Sequence, residues 1–221
     1  SEYIPYIEDL IWSQNEPAMM LEYLYTLSKF DSQNLINIAN QFIILADNFN
    51  HISRPEDTPE MKVNAAYVMV SHGDYSAVHY AFEILNKDRP KVDIIAFRVL
   101  EQIIINHNTT YEIQAKNEFL YISENCPDEY FRYFALKVLA ESYGKEFTQK
   151  CVDALTNSSD FTLRLFALEH LFIADYLELK SLLQQRLPLD SEPTVRLAIA
   201  DSILSGFGTP QDLKFVKDYQ L

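Results

Sequence analysis

Apolar residues recur at helical spacing along most of this chain, and the recurrence is tightest from Asp128 onward. The segments Asp128–Leu139, Asp160–Leu171 and Glu192–Ile203 align without gaps, each 32 residues after the last. In the first, Phe131, Phe134, Ala135, Val138 and Leu139 fall on one face of a helix. The second supplies Leu163, Phe166, Ala167, His170 and Leu171 at the same places, and the third Val195, Ala198, Ile199, Ser202 and Ile203. A second helix is predicted after each: Phe147, Cys151, Ala154 and Leu155 form its stripe in one copy, and Leu179, Leu183 and Leu187 in the next. Gly144 and Gly208 mark the intervening turns, where a helix end favours left-handed backbone, and Asp175-Tyr176 takes that place in the middle copy. A constant period in the low thirties holding two helices is the signature of a solenoid.

The pattern continues upstream with looser spacing. Ile94–Leu100 matches Tyr133–Leu139, and its second helix is predicted over Tyr111–Glu124, beyond the polar turn Asn106–Thr110. Asn64–Val70 fits next, followed by Gly73 and a helix through Val78, Phe82 and Leu85. Pro17 opens a helix through Met20, Leu21, Leu24 and Leu27. Its longer mate carries Leu35, Ile38, Phe42, Leu45 and Phe49, while Tyr3 to Trp12 is either a leading helix or a partial repeat. The expected organisation is one domain over residues 1–221, with irregular helices in 1–57 and regular repeats in 58–221.

The run Pro193-Thr194-Val195-Arg196-Leu197-Ala198 resembles the first helix of the HEAT repeat family, which commonly reads proline, valine-arginine, small residues and a leucine. Leu163-Arg164 and Phe131-Arg132 follow the same pattern with bulkier residues. The resemblance covers residues 58–221 well and the first 57 poorly. It implies an all-α fold, a right-handed α-solenoid of antiparallel helix pairs of the HEAT/armadillo kind, with about five or six repeats. A repeat consensus of this type encodes stacking and says little about activity.

Composition narrows the function classes. Only four glycines occur, too few for a phosphate-cradling loop or a run of hairpins. The formal net charge is -14, with 18 basic residues facing 32 acidic ones. That balance disfavours nucleic acid, whose affinity depends on clustered Lys and Arg, and it disfavours an anionic membrane surface. A basic protein or peptide is the electrostatically favoured partner. Cys126 and Cys151 have no metal-ligand or disulfide spacing and suit a reducing compartment, so a cytoplasmic location is expected. No apolar run is long enough to span a bilayer, and no secretory signal opens the sequence.

Candidate chemistry is sparse. Asp128 with Arg132, Asp160 with Arg164 and Glu192 with Arg196 could form an anion-binding ladder, but the structural reading is stronger. An acid at a helix start caps free N–H groups and can pair with a base four residues on, and a repeated Arg can bridge to the next layer. Glu169-His170 is similar to the His-Glu pairs of a HEAT-fold hydroxylase, but it is reversed and single. His51, His72, His79 and His107 supply no second copy, so no metal is expected. HEAT-like DNA glycosylases need a basic concave face, which this acidic chain with its single Trp12 does not offer. No Ser-His-Asp, Cys-His or paired-carboxylate arrangement stands out, so no enzymatic activity and no cofactor are expected.

In the HEAT family, second helices line the concave face. The resemblance therefore places a partner-binding strip on the residues opposite each packing stripe: Asn37, Asn40, Ile44, Asp47, His79, Tyr80, Glu83, Glu118, Tyr121, Gln149, Asp153 and Gln185. Tyr80 and Tyr121 lie off the stripes and are candidate aromatic anchors. The expectation is a non-catalytic scaffold or adaptor that grips a basic partner. A section of a larger HEAT-repeat assembly and an acidic inhibitor or immunity-type protein are the alternatives.

Overall fold

The apolar stripes fold as helices in the computed structural model, which describes residues 3–14, 17–30, 32, 34–48, 57–87, 91–174 and 177–219. Among these residues there are thirteen α-helices and no strand. They are α1 (Ile4–Ser13), α2 (Pro17–Ser28), α3 (Leu35–Asn48), α4 (Asp57–Ser71), α5 (His79–Lys87), α6 (Ile94–Ile105) and α7 (Glu112–Asn125). There follow α8 (Glu129–Tyr143), α9 (Thr148–Asn157), α10 (Phe161–Ile173), α11 (Leu179–Arg186), α12 (Pro193–Gly206) and α13 (Pro210–Asp218). The turn at Asp175-Tyr176 and the position of Phe49 lie outside the described residues. No helix of the described residues is long and apolar enough to cross a membrane.

The chain forms two compact units, residues 1–115 and 116–221, with the boundary inside α7. In unit 1, α2 packs on α1, α3 and α4, while α4 also packs on α3, α5 and α6. Central α4 suits this position, because Ala65 and Ala66 are fully buried and let neighbouring backbones come close. Ile11, Leu24, Leu27, Leu35, Phe42 and Met69 fill the space around it, and a buried side chain of this size contributes about 1.5–3 kcal/mol.

In unit 2, α10 packs on α8, α9 and α12, and α12 packs on α11 and α13. The predicted stripe positions Ala135, Val138, Leu139, Leu163, Phe166, Ala167, Leu171, Val195, Ile199 and Ile203 are buried, and Phe131, Phe134, His170, Ala198 and Ser202 are half-buried. Leu136, Ala140, Leu168 and Ala200, off the stripe, are buried as well. A helix such as α10, covered by three neighbours, needs more than one apolar face.

Acidic caps set the helix starts. Asp128 accepts from the Tyr130 N–H at 2.9 Å, Asp160 from Thr162 and Leu163, and Glu192 from Thr194. These acids do not ion-pair with the arginines four residues on, which corrects that part of the expectation. Each arginine instead turns back six residues: Nη1 of Arg132 donates to the Cys126 carbonyl at 2.7 Å, that of Arg164 to Ser158 at 2.8 Å and that of Arg196 to Asp190 at 2.9 Å. The repeated arginine thus pins the linker entering its own helix. Arg132 and Arg164 also face a carboxylate further along the chain, Asp160 at 3.8 Å and Asp190 at 3.0 Å.

Positive φ falls where the helix ends were expected, at Gly144 (52°) and Gly208 (45°). The turn after α6 carries a side chain instead: His107 sits at φ 48°, closing the helix with Asn108 N–H to Ile103 O and His107 N–H to Ile104 O, both at 3.0 Å. A non-glycine residue in left-handed backbone costs about 1 kcal/mol or more. His107→Gly is therefore expected to raise unit 1 stability by about 1 kcal/mol, offset slightly by the exposed contact to Glu112. Denaturant titration checks this, and a destabilised variant would show that the Glu112 contact outweighs the backbone strain.

Candidate functional site

The face of α3 away from the core presents Asn37, Asn40, Ile44 and Asp47, all exposed, with Ile44 at 58 %. Their spacing of three and four residues alternates with the buried set Ile38, Ala39, Phe42, Ile43 and Ala46, so one helix segregates a core face from a solvent face. Asp47 is ion-paired with Lys62 of α4.

On α5 the same segregation buries Ala81, Phe82 and Leu85 and leaves His79 and Glu83 exposed. Tyr80, expected off the packing stripe, is only partly exposed. It is half-buried against the core, its ring lies 4.0 Å from that of His79, and Nζ of Lys62 sits 5.0 Å above it. The long Lys62 side chain reaches over the phenol from α4, a contact that no local spacing discloses.

Glu83 stands between two grooves of unit 1. One, of about 520 Å³, is lined by His79, Phe82, Asn86, Lys87, Tyr111 and Gln114 as well as Glu83. The other, of about 190 Å³, runs along Pro59, Lys62, Tyr80, Ile84 and Lys87. The Glu83 side chain makes no hydrogen bond or ion pair among the described residues.

In unit 2, Gln149, Asp153 and Gln185 are exposed, whereas Glu118 and Tyr121 of α7 are half-buried beside the buried Phe119 and Ile122. Gln149 donates its amide to Asp153 at 3.1 Å, and Gln185 donates to Ser181 at 3.4 Å. The lysines of α7, α9 and α11 are bound to carboxylates of neighbouring elements. Lys116 pairs with Glu146 at 2.6 Å and lies 4.3 Å above the Tyr143 ring, Lys150 pairs with Glu124, and Lys180 pairs with Asp212 at 2.8 Å. Lys180 and the Thr209 hydroxyl hold the Asp212 carboxyl down at about 2. The sequence reading did not select these lysines, since their partners lie between 26 and 32 residues away.

His170 lies on its predicted packing stripe, half-buried and stacked at 6.0 Å on Phe166. Burial pushes its pKa down and favours the neutral ring, and its Nε2 has no hydrogen-bond partner among the described residues. Both cysteines are buried with raised thiol pKa values, Cys151 to about 12 through desolvation, which keeps them protonated and unreactive. Among the described residues no group of three or more His, Cys, Asp or Glu is placed to hold a metal ion.

No protein-family model matches this chain, and no curated protein matches it at a significant level.

Proposed function

We propose that the chain is a non-catalytic binding scaffold for a basic protein or peptide, built of stacked antiparallel helix pairs of the HEAT/armadillo kind. The packing of α2 on α4 and α4 on α6 in unit 1, and of α8 on α10 and α10 on α12 in unit 2, supports the stacked arrangement. First helices contacting at every second element is what such layers require.

The observation that carries the binding reading is the fate of the charges on the second helices. Lys116, Lys150 and Lys180 are neutralised by carboxylates, while among the described residues Glu83, which shares its two grooves with Lys87, makes no ion pair and Asp153 holds only an amide. On a chain of net charge -14, this leaves acidic acceptors facing solvent beside apolar and aromatic walls. Such a surface favours a peptide alternating basic and apolar residues.

The test is titration with a lysine- and arginine-rich peptide, against a charge-neutral peptide of the same length, at several salt concentrations. Binding is expected to weaken steeply with salt, and Glu83→Lys with Asp153→Lys together to weaken it by about tenfold or more. Salt-independent binding, or full affinity in the double variant, would remove the electrostatic reading. A place in a larger assembly is the second reading, favoured by the exposure of Ile173 (74 %) and Leu177 (97 %) around the end of α10.

A further inference from the structure

Two successive 32-residue copies in unit 2 share the hydrogen bonds of the linker that enters the next helix but differ at two positions before it. Ser158 and Asp190 occupy equivalent places. Their carbonyls accept from Arg164 and Arg196, and their side chains accept the N–H of the following cap, Asp160 at 3.1 Å and Glu192 at 3.0 Å. Four residues earlier, Ala154 stands where the later copy has Arg186.

In the later copy the site is filled. The Asp190 carboxylate accepts from Nε and Nη2 of Arg164, both at 3.0 Å, and from Arg186 at 2.9 Å. In the earlier copy the two short side chains leave a groove of about 470 Å³ beside Ala154 and Ser158. Arg132, the counterpart of Arg164, lines that groove. Its Nη1 is held by the Cys126 and Pro127 carbonyls, but its Nε and Nη2 make no hydrogen bond among the described residues. The nearest carboxylates, Asp160 at 3.8 Å and Glu129 at 4.0 Å, lie beyond hydrogen-bond reach. Its side chain is 20 % exposed, against 6 % for Arg164, and the buried Asp160 Oδ2 beside it has no hydrogen-bond partner among the described residues.

We propose that this groove receives a peptide segment bearing an arginine or lysine. A main-chain carbonyl of the segment accepts from the open Nε and Nη2 edge of Arg132, and its cationic side chain pairs with Asp153. The later copy shows what the place holds when filled: an acceptor on that guanidinium edge, with a second guanidinium alongside. An incoming carboxylate is disfavoured, because Asp160 and Glu129 already flank Arg132. Of the groove's own carboxylates, Glu124 is bound to Lys150, so Asp153 is the one available to a cation. The inference rests on the basic-partner reading and assigns that partner a seat in unit 2.

The test uses the full chain and a doubly blocked alanyl-arginyl-alanine tripeptide, followed by amide shifts in NMR titration. Saturable shifts at Asp153, Ser158 and Ser159 are expected. Asp153→Asn, at an exposed position, should weaken them by about tenfold. Ala154→Arg should abolish them, by supplying from the chain itself the guanidinium that Arg186 supplies in the later copy. A citrulline counterpart of the tripeptide should bind more weakly by a similar factor. Equal binding to the Ala154→Arg variant, or equal binding of the citrulline peptide, overturns the proposal. Shifts confined to α5 would overturn this seat while leaving the basic-partner reading intact, and the absence of saturable shifts anywhere would count against both.

Discussion

Asp190→Ala is expected to destabilise unit 2 by about 3–5 kcal/mol, the largest single-residue effect foreseen for this protein. The carboxylate is fully buried, and it is held by Arg164, itself nearly buried, and by Arg186. It also accepts the Glu192 N–H at 3.0 Å, which shapes the turn into α12. Removing it strands two guanidinium groups in a low-dielectric interior, one of which, Arg186, already has a buried Nε without a hydrogen-bond partner among the described residues. The loss reflects uncompensated charge more than the net worth of the pair. Asp190→Leu combined with Arg164→Leu should therefore recover part of the stability lost in Asp190→Ala.

The acid limb of the stability curve gives an independent readout. Burial alone would push the Asp190 carboxyl up, but the Glu192 N–H and the Arg164 and Arg186 guanidinium groups outweigh it and hold the pKa below 3.8. A carboxyl whose pKa is lower in the folded than in the unfolded chain adds stability above its unfolded value. That stability is lost as pH falls from 3.8 through the lower folded value. The wild-type chain should lose stability across that window, and the Asp190→Ala chain should lose less of it. Urea titrations followed by circular dichroism, near neutral pH and below pH 3.8, measure both effects. An Asp190→Ala variant within about 0.5 kcal/mol of the wild type would mean that this pair is not buried in solution.

Sequence legibility followed the repeat. Asp128, Asp160 and Glu192 announced the starts of α8, α10 and α12 because a cap before an apolar stripe is a local signal. The exposed set Asn37, Asn40, Ile44 and Asp47 was readable for the same reason, since helical periodicity separates two faces of one element. Tyr80 and Tyr121 are half-buried rather than exposed, and for Tyr80 part of the cover comes from outside its own helix, from Lys62. The groove at Ala154 and Ser158 was hidden differently. The copies align on what recurs, whereas the opening arises where Arg186 and Asp190 are not matched. In unit 2 the residues shared by the copies cap helices and pin linkers, and the unshared ones shape the surface.

Tyr25→Phe is expected to cost unit 1 about 1–3 kcal/mol, though it removes a single oxygen. The Tyr25 hydroxyl donates to Oδ1 of Asn64, joining α2 to α4 across 39 residues of sequence. Asn64 is 5 % exposed, and its Nδ2 is committed to the Glu60 carbonyl at 2.7 Å. Without the phenol, its side-chain oxygen is left in the core with no donor. If the cost comes from that orphaned acceptor, Asn64→Leu added to Tyr25→Phe should be less damaging than the sum of the two changes, and a double-mutant cycle reads the difference. The hydroxyl also sets an alkaline limit. Burial, then the neighbouring Tyr67 and Asp93, raise its pKa from 10.0 to about 12, so the folded chain favours the protonated phenol. A raised pKa of this kind contributes stability that is complete below 10.0 and is lost as pH rises toward 12. The wild type should therefore weaken in that range more than Tyr25→Phe does. Parallel alkaline unfolding of the two chains would show that Tyr25 and Asn64 do not link α2 to α4 in solution.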